Sequence, residues 1–249
     1  MAGFMVLLKK ELRYQLRTHR LLVVVAVFFI FGLATPLLFY YLPELIPESE
    51  ITIQLPQFTT TDVVNEYIDT VGQIGMIAAI LVAMSAVARE RELGTAAMTL
   101  SKPVGCGAFI TAKLASLALV FVAGIVIGAM GCYLYTTVLY GGLNARDFFT
   151  ANLVTGLYLM FCLAFTVMCS SFFKSQLAAG GLALVCLISL TVTSGLPVMK
   201  DYSPGVLVAW SRDIASGGSS NNWGVLIVSL VMIALTILTG WQVFKRKEL

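Results

Sequence analysis

A chain of 249 residues that is 59% hydrophobic and only 12% charged is not a water-soluble domain of ordinary make-up, in which roughly 25% of residues are charged. Its mean hydropathy of +0.91 calls for long membrane-buried segments. The net charge of +3 belongs to the sorting of basic residues across a membrane, not to nucleic-acid binding.

A spanning helix needs about 20 mostly apolar residues at ~1.5 Å of rise each. Six segments qualify: 21–42, 71–88, 110–139, 150–173, 177–196 and 223–244. A transmembrane barrel would need ~10-residue segments of alternating polarity, and the runs here are continuous. The expected fold is an all-α polytopic membrane protein of six transmembrane helices, with an amphipathic interfacial helix before them and both termini cytoplasmic.

Residues 1–20 read as that surface helix. Met5, Leu8, Leu12 and Leu16 recur at helical spacing, and Lys10, Arg13, Arg17 and Arg20 form a second stripe. Such a helix lies with apolar groups down and basic groups toward lipid phosphates; the alternative is a basic tail that only fixes topology. The apolar run beyond it continues to Tyr41. That is longer than the ~7–15-residue core of a secretory signal, so it reads as a retained first span.

The connector 43–70 has no Lys or Arg and six acids: Glu44, Glu48, Glu50, Asp62, Glu66 and Asp69. Pro43, Pro47 and Pro56 argue against a long helix there, and Thr61-Asp62 is placed to cap a helix entering the second span. Span two is expected to run on past the membrane through Arg89, Glu90, Arg91, Glu92 and Leu93, and to break at Gly94-Thr95. One or two short helical turns then reach Leu100, before Ser101, Lys102 and Pro103.

Span three carries Gly124 and Gly128, a spacing that lets helices approach closely. Spans four and five are separated only by Lys174-Ser175-Gln176, a tight hairpin. In 197–222, Val206–Trp210 is apolar enough to dip into the interface, so this segment is either a re-entrant hairpin or an ordinary loop. Tyr40, Tyr41, Tyr140, Trp223 and Trp241 fall near span ends as interface anchors.

With six spans, the basic residues sort. Lys9, Lys10, Arg13, Arg17, Arg20, Arg89, Arg91, Lys102, Lys113, Lys174, Lys245, Arg246 and Lys247 fall on the side of the termini. Only Arg146, Lys200 and Arg212 fall on the other. Lys/Arg asymmetry sets orientation and makes the first side cytoplasmic.

No Asp, Glu, Lys, Arg or His stands at the centre of a predicted span, which argues against ion-coupled transport. No G-x-x-x-x-G-K-[ST] loop is present, so ATP hydrolysis by this chain is not expected. The five cysteines show no C-x-x-C, and with one His a metal site has no support. A channel, a membrane scaffold or assembly factor, and the membrane half of an externally powered transporter remain.

The stretch Glu90-Arg91-Glu92-Leu93-Gly94-Thr95, then Leu100-Ser101-x-Pro103-Val104 and Lys113, resembles the first cytoplasmic loop of ABC export permeases of the second type. The basic N-terminus and the six-span plan are similar too. The chain departs from the family pattern after Val104, where Gly105-Cys106 replaces a polar pair. The short chain and compact loops are similar to the family's permease for nitrous-oxide-reductase maturation. The resemblance implies a permease of the cytoplasmic (inner) membrane whose residues 1–20 form a connecting helix ahead of a six-span domain, 21–249. Its coupling loop would be 89–109, with Arg89, Glu90, Arg91, Glu92, Leu93, Gly94, Thr95, Leu100, Ser101, Lys102 and Pro103 serving ATPase coupling, Glu90 and Glu92 toward basic residues of the ATPase and Arg89 and Arg91 alternatively paired within the permease. Two copies would pair, most simply as a homodimer, above two cytosolic ABC ATPase subunits. ATP and magnesium would sit on the ATPase, with no cofactor on this chain. ATP hydrolysis would drive either substrate translocation or mechanical transmission across the membrane to a periplasmic or extracellular partner, and in that second variant the acidic connector 43–70 would be the contact surface.

Overall fold

The computed structural model describes residues 2–45, 58–94, 105–195, 203–218 and 222–248. They form helices α1 (Ala2–Arg17), α2 (Arg20–Leu45), α3 (Thr60–Ala83), α4 (Ser85–Glu92), α5 (Cys106–Tyr140), α6 (Ala145–Phe172), α7 (Gln176–Ser194), α8 (Val206–Ala215) and α9 (Trp223–Glu248), with no strand among the described residues. Six stretches are long and apolar enough to cross a membrane: Arg20–Leu42, Thr60–Glu92, Gly107–Tyr140, Ala145–Phe172, Gln176–Ser194 and Trp223–Arg246. The chain is thus an all-α polytopic membrane protein.

The helix of the second span begins at Thr60, ahead of the apolar run 71–88 and within two residues of the start expected from Thr61-Asp62. Thr59, two residues before the expected Thr61-Asp62 cap, is the N-cap. Its backbone N–H donates to Asp62 Oδ2 at 2.9 Å and its Oγ1 accepts from the Asp62 N–H at 3.4 Å. This reciprocal pairing satisfies two donors left unpaired at a helix start. The added turns are amphipathic: Val63, Val64, Tyr67, Ile68 and Val71 are buried while Glu66 is exposed. A search for continuous apolar runs passes over such turns, although one face packs as well as a span.

α6 is the centre of the bundle, packed by α3, α5, α7, α8 and α9. Phe148, Tyr158, Leu159, Phe161 and Cys162 of α6 are buried. Asn152 Oδ1 accepts from the Tyr67 hydroxyl at 3.1 Å and its Nδ2 donates to the Phe148 carbonyl at 3.0 Å. Two aromatic layers of the core thereby keep their polar atoms paired, as burial demands. α2 lies along α5 at backbone contact. A Cβ on Gly128 would fall 2.6 Å from the Phe28 carbonyl oxygen, and one on Gly32 would strike the Gly128 carbonyl. The small-residue spacing on span three is therefore a helix–helix contact within this chain. Large apolar side chains stay exposed on α7 and α9, among them Leu177, Val185, Val192, Ile227 and Val231, as lipid or a second subunit requires.

α1 joins α2 through His19, which stands at φ 56°, a left-handed conformation that costs a non-glycine residue roughly 1–2 kcal/mol. His19→Gly is expected to hold or raise thermal stability in detergent. The β-branched His19→Val should lower stability by about 1–2 kcal/mol; equal melting of the two variants would show that the corner is not set by this residue. α1 turns to the bundle a face other than the apolar stripe expected to lie on the membrane. Leu7, Glu11 and Gln15 are its buried residues, while Met5 and Leu16 are exposed. Lys10, Arg13 and Arg17 are exposed and Arg20 is half-buried, its guanidinium 5.5 Å from the Tyr14 ring centre.

Residues 206–215 are not a surface loop. Leu207, Trp210 and Ser211 of α8 are buried against α3 and α6, and Ser211 Oγ accepts from Thr155 Oγ1 at 3.0 Å. Arg212 pairs with Asp69 at 3.0 Å. α8 has folded back into the end of the bundle opposite α1.

Candidate functional site

α1, α4, the start of α5 and the last turn of α6 meet at one end of the molecule, the end that carries most basic residues. α4 reads Ser-Ala-Val-Ala-Arg-Glu-Arg-Glu. Ser85, Val87 and Ala88 are buried and Arg89 and Glu92 exposed, so the short helix has one face on the bundle and one in water. Successive charges point about 100° apart around a helix of 3.6 residues per turn, and Glu90, Arg91 and Glu92 each find a different neighbour. Glu90 Oε1 accepts from Lys113 Nζ on α5 at 2.7 Å. Arg91 Nη1 donates to the Ser171 carbonyl on α6 at 3.0 Å. Glu92 Oε2 accepts from Gln176 Nε2 on α7 at 3.3 Å. Leu93 closes the helix, and Gly94 at φ 69° turns the chain away, as a glycine just past a helix end commonly does.

Lys113 is the centre of the junction. Its side chain is 5% exposed and lies 3.2 Å from Glu11 Oε1 on α1 as well as 2.7 Å from Glu90. Its ammonium also stands 5.0 Å from the Phe109 ring centre, and Phe109 stacks on Phe244 of α9 at 5.2 Å. One lysine thus ties the N-terminal helix, the stalk α4 and the third span together. Such a buried cluster is a poor source of net stability, because desolvation offsets much of the Coulomb attraction. Removing Lys113 is the costly change, because it leaves two carboxylates without the ammonium they share. Beside it lies a cavity of about 40 Å³ lined by Gln15, Arg20, Ser85, Lys113 and Ser116, polar and large enough for a water.

Ser170 is a second organising residue. It is fully buried on α6 beside Met84, where the second span is interrupted between α3 and α4. Its Oγ donates to the Met84 carbonyl at 2.8 Å and accepts the N–H groups of Val87 at 3.1 Å and Ala88 at 2.9 Å.

At the opposite end an open cavity of about 740 Å³ lies between α3, α7 and α8. It is lined by Gln73, Met76, Tyr158, Thr191, Val208 and Trp210, with the Asp69–Arg212 pair at its edge. Its walls mix aromatic, aliphatic and neutral polar groups.

Of the loop residues singled out from sequence, Arg89, Glu92, Leu93 and Gly94 lie at the surface, while Glu90 and Arg91 turn inward onto the bundle. Thr95, Leu100, Ser101, Lys102 and Pro103 lie outside the described residues. Sequence reasoning missed Glu11, Gln15 and Ser170. Glu11 carried a signal, since it is the one acid among the basic residues of 1–20 and Lys113 is a cation just inside a predicted span. Ser170 carried none, because serine is unremarkable in a membrane helix.

The sequence model of the ABC-2 family transporter proteins matches residues 5–249. The uncharacterized transmembrane protein YxlG of Bacillus subtilis (strain 168) is 24% identical over 260 residues, which cover 100% of this chain and 99% of that protein. A family match that runs through α1, the stalk and all six spans embraces the whole fold described above. The chain belongs to the ABC-2 family of transporter proteins, as a membrane permease of an ABC transporter.

Proposed function

We propose that this permease is driven by separate cytosolic ATPase chains that dock at the basic end, and that it works as an exporter. Two permease copies, identical in the simplest arrangement, would pair above two ATPase subunits. ATP and magnesium would reside on the ATPases. The basic end would face the cytoplasm of a bacterial inner membrane, in keeping with the sorting of Lys and Arg. The observation that carries this reading is the stalk α4. It projects a mixed-charge face and a 64%-exposed Leu93 from a helix bonded to α5, α6 and α7 and linked through Lys113 to α1, so a push on its tip reaches several elements of the bundle. Fixed charges are sparse along the spans, which suits an amphiphilic or apolar substrate, and the mixed walls of the opposite cavity suit the same class.

Purifying the chain from its native membrane under mild conditions, identifying what accompanies it and assaying ATP hydrolysis tests the proposal. A stoichiometric soluble ATPase is expected. A preparation that functions without one would overturn the reading in favour of a scaffold or assembly factor. Leu93→Asp is expected to leave accumulation in the membrane unchanged, because the side chain is exposed. It should weaken ATPase association about tenfold, the scale of a moderate interface contact. Unchanged co-purification would place the docking surface elsewhere.

A further inference from the structure

An uninterrupted helix through residues 80–92 would give the Val87 N–H to Ala83 and the Ala88 N–H to Met84. Here Met84 keeps helical dihedrals (φ −57°, ψ −31°) and its own N–H still bonds to Ile80, but the regular ladder is interrupted between α3 and α4, and a side chain from another span bonds to the segment. A serine hydroxyl has one proton to donate and two lone pairs to accept with. Ser170 uses all three on this segment, donating to Met84 and accepting from Val87 and Ala88. Insertion of a side chain into the i→i−4 ladder is a recognised cause of a helix kink. The neighbouring Ser171 hydroxyl instead bonds back to Val167 of its own helix at 3.0 Å, so the outward reach of Ser170 is not a general habit of α6. The wall opposite the break is close as well: a Cβ on Gly180 of α7 would fall 2.7 Å from Met84 Sδ.

We propose that Ser170 is a positioning residue, the pin of a hinge at Met84 that aims the stalk α4 so that Glu90 reaches Lys113. Beyond the pin, α4 is held on one side by Glu90–Lys113 and on the other by Arg91–Ser171. Movement of the stalk tip therefore turns about Met84 and is felt by the fourth span at two neighbouring residues, through the Ser170 hydroxyl at the pivot and the Arg91–Ser171 bond beyond it. The role in coupling rests on the function proposed above; the hinge itself does not.

The test compares the full-length permease in lipid with Ser170→Ala, Ser170→Thr and, as a control, Thr166→Val. Thr166 lies one turn away and bonds only to the Cys162 carbonyl of its own helix, at 2.7 Å. Amide hydrogen exchange across residues 85–93 and permease-dependent ATP hydrolysis by the co-purified ATPase are both measured. Ser170→Ala is expected to speed exchange over 85–93 about tenfold, the scale of losing a buried hydrogen bond, without a matching rise in the other spans. It should also lower coupled hydrolysis. Ser170→Thr, which keeps the hydroxyl, is expected to restore both, and Thr166→Val to change neither. Unchanged exchange over 85–93 in Ser170→Ala, or a rise spread evenly through the bundle, overturns the hinge. A local rise with coupled hydrolysis intact overturns the positioning role and leaves the hinge. If no ATPase accompanies even the wild-type chain, the proposed function fails and the exchange data still decide the hinge.

Discussion

Lys113→Met is expected to destabilise the folded permease by about 3–5 kcal/mol, the cost of leaving a buried ion pair without one partner. The direction follows from the junction. Glu11 is 7% exposed and Glu90 21% exposed at the side chain, and both pair with the same ammonium, at 3.2 and 2.7 Å, while the exposed Lys10 stands farther from Glu11, at 3.8 Å. Without it, two carboxylates would face one another in a poorly solvated site. The triple variant Lys113→Met with Glu11→Gln and Glu90→Gln removes charge from all three positions and should recover most of the loss, because buried ion clusters replaced as a unit are often neutral. Thermal unfolding of the three proteins in one detergent decides the matter. If Lys113→Met melts with wild type, the junction is solvated and contributes nothing. The same geometry changes how a charge reversal at Glu90 is to be read, since it would break the permease's own junction as well as any contact with a partner. Leu93 is the cleaner probe of docking.

Gly128→Leu is the second large effect, expected to cost about 3 kcal/mol or more, the upper range for overpacking a close-packed site. At Gly128 the atom in the way is the Phe28 carbonyl oxygen, 2.6 Å from a new Cβ. Backbone of α2 must move, and no rotamer change relieves the clash. Gly124→Ala should cost less, because its obstacle is the Phe28 ring edge at 2.8 Å, which can tilt. Gly181→Ala has nothing within 4 Å and is expected to be neutral or slightly stabilising through helix propensity. Protease resistance and thermal unfolding of the isolated chain should rank the three in that order. Equal tolerance of Gly128→Leu and Gly181→Ala would show that α2 and α5 are not in backbone contact.

The six-span plan was legible because membrane insertion is governed by continuous apolar length, a local property of sequence. The stalk was legible for a similar reason: its charges interrupt an apolar chain, and Gly94 marks its end through a backbone conformation few other residues adopt. What escaped were features whose signal is split between distant segments. The start of α3 was legible to within two residues, but the face its first turns bury was not, because that face gains meaning only against α6. The face that α1 buries, Leu7–Glu11–Gln15, lies beside the apolar stripe of Met5, Leu8, Leu12 and Leu16 and escaped because a lysine more than a hundred residues away makes Glu11 a core residue.

The sequence by itself determined the class of molecule, the number of spans, the sorting of basic residues and the place where the second span ends. All of these follow from hydropathy, charge and single-residue backbone preference. Only the tertiary structure decided which charges are spent inside. It paired Glu90 and Glu11 through Lys113, brought Ser170 into the broken ladder of the second span and folded α8 back beneath Arg212–Asp69. Hydrogen bonds and ion pairs between segments far apart in the chain depend on distance in space, and buried polar atoms must find their partners wherever the fold has placed them.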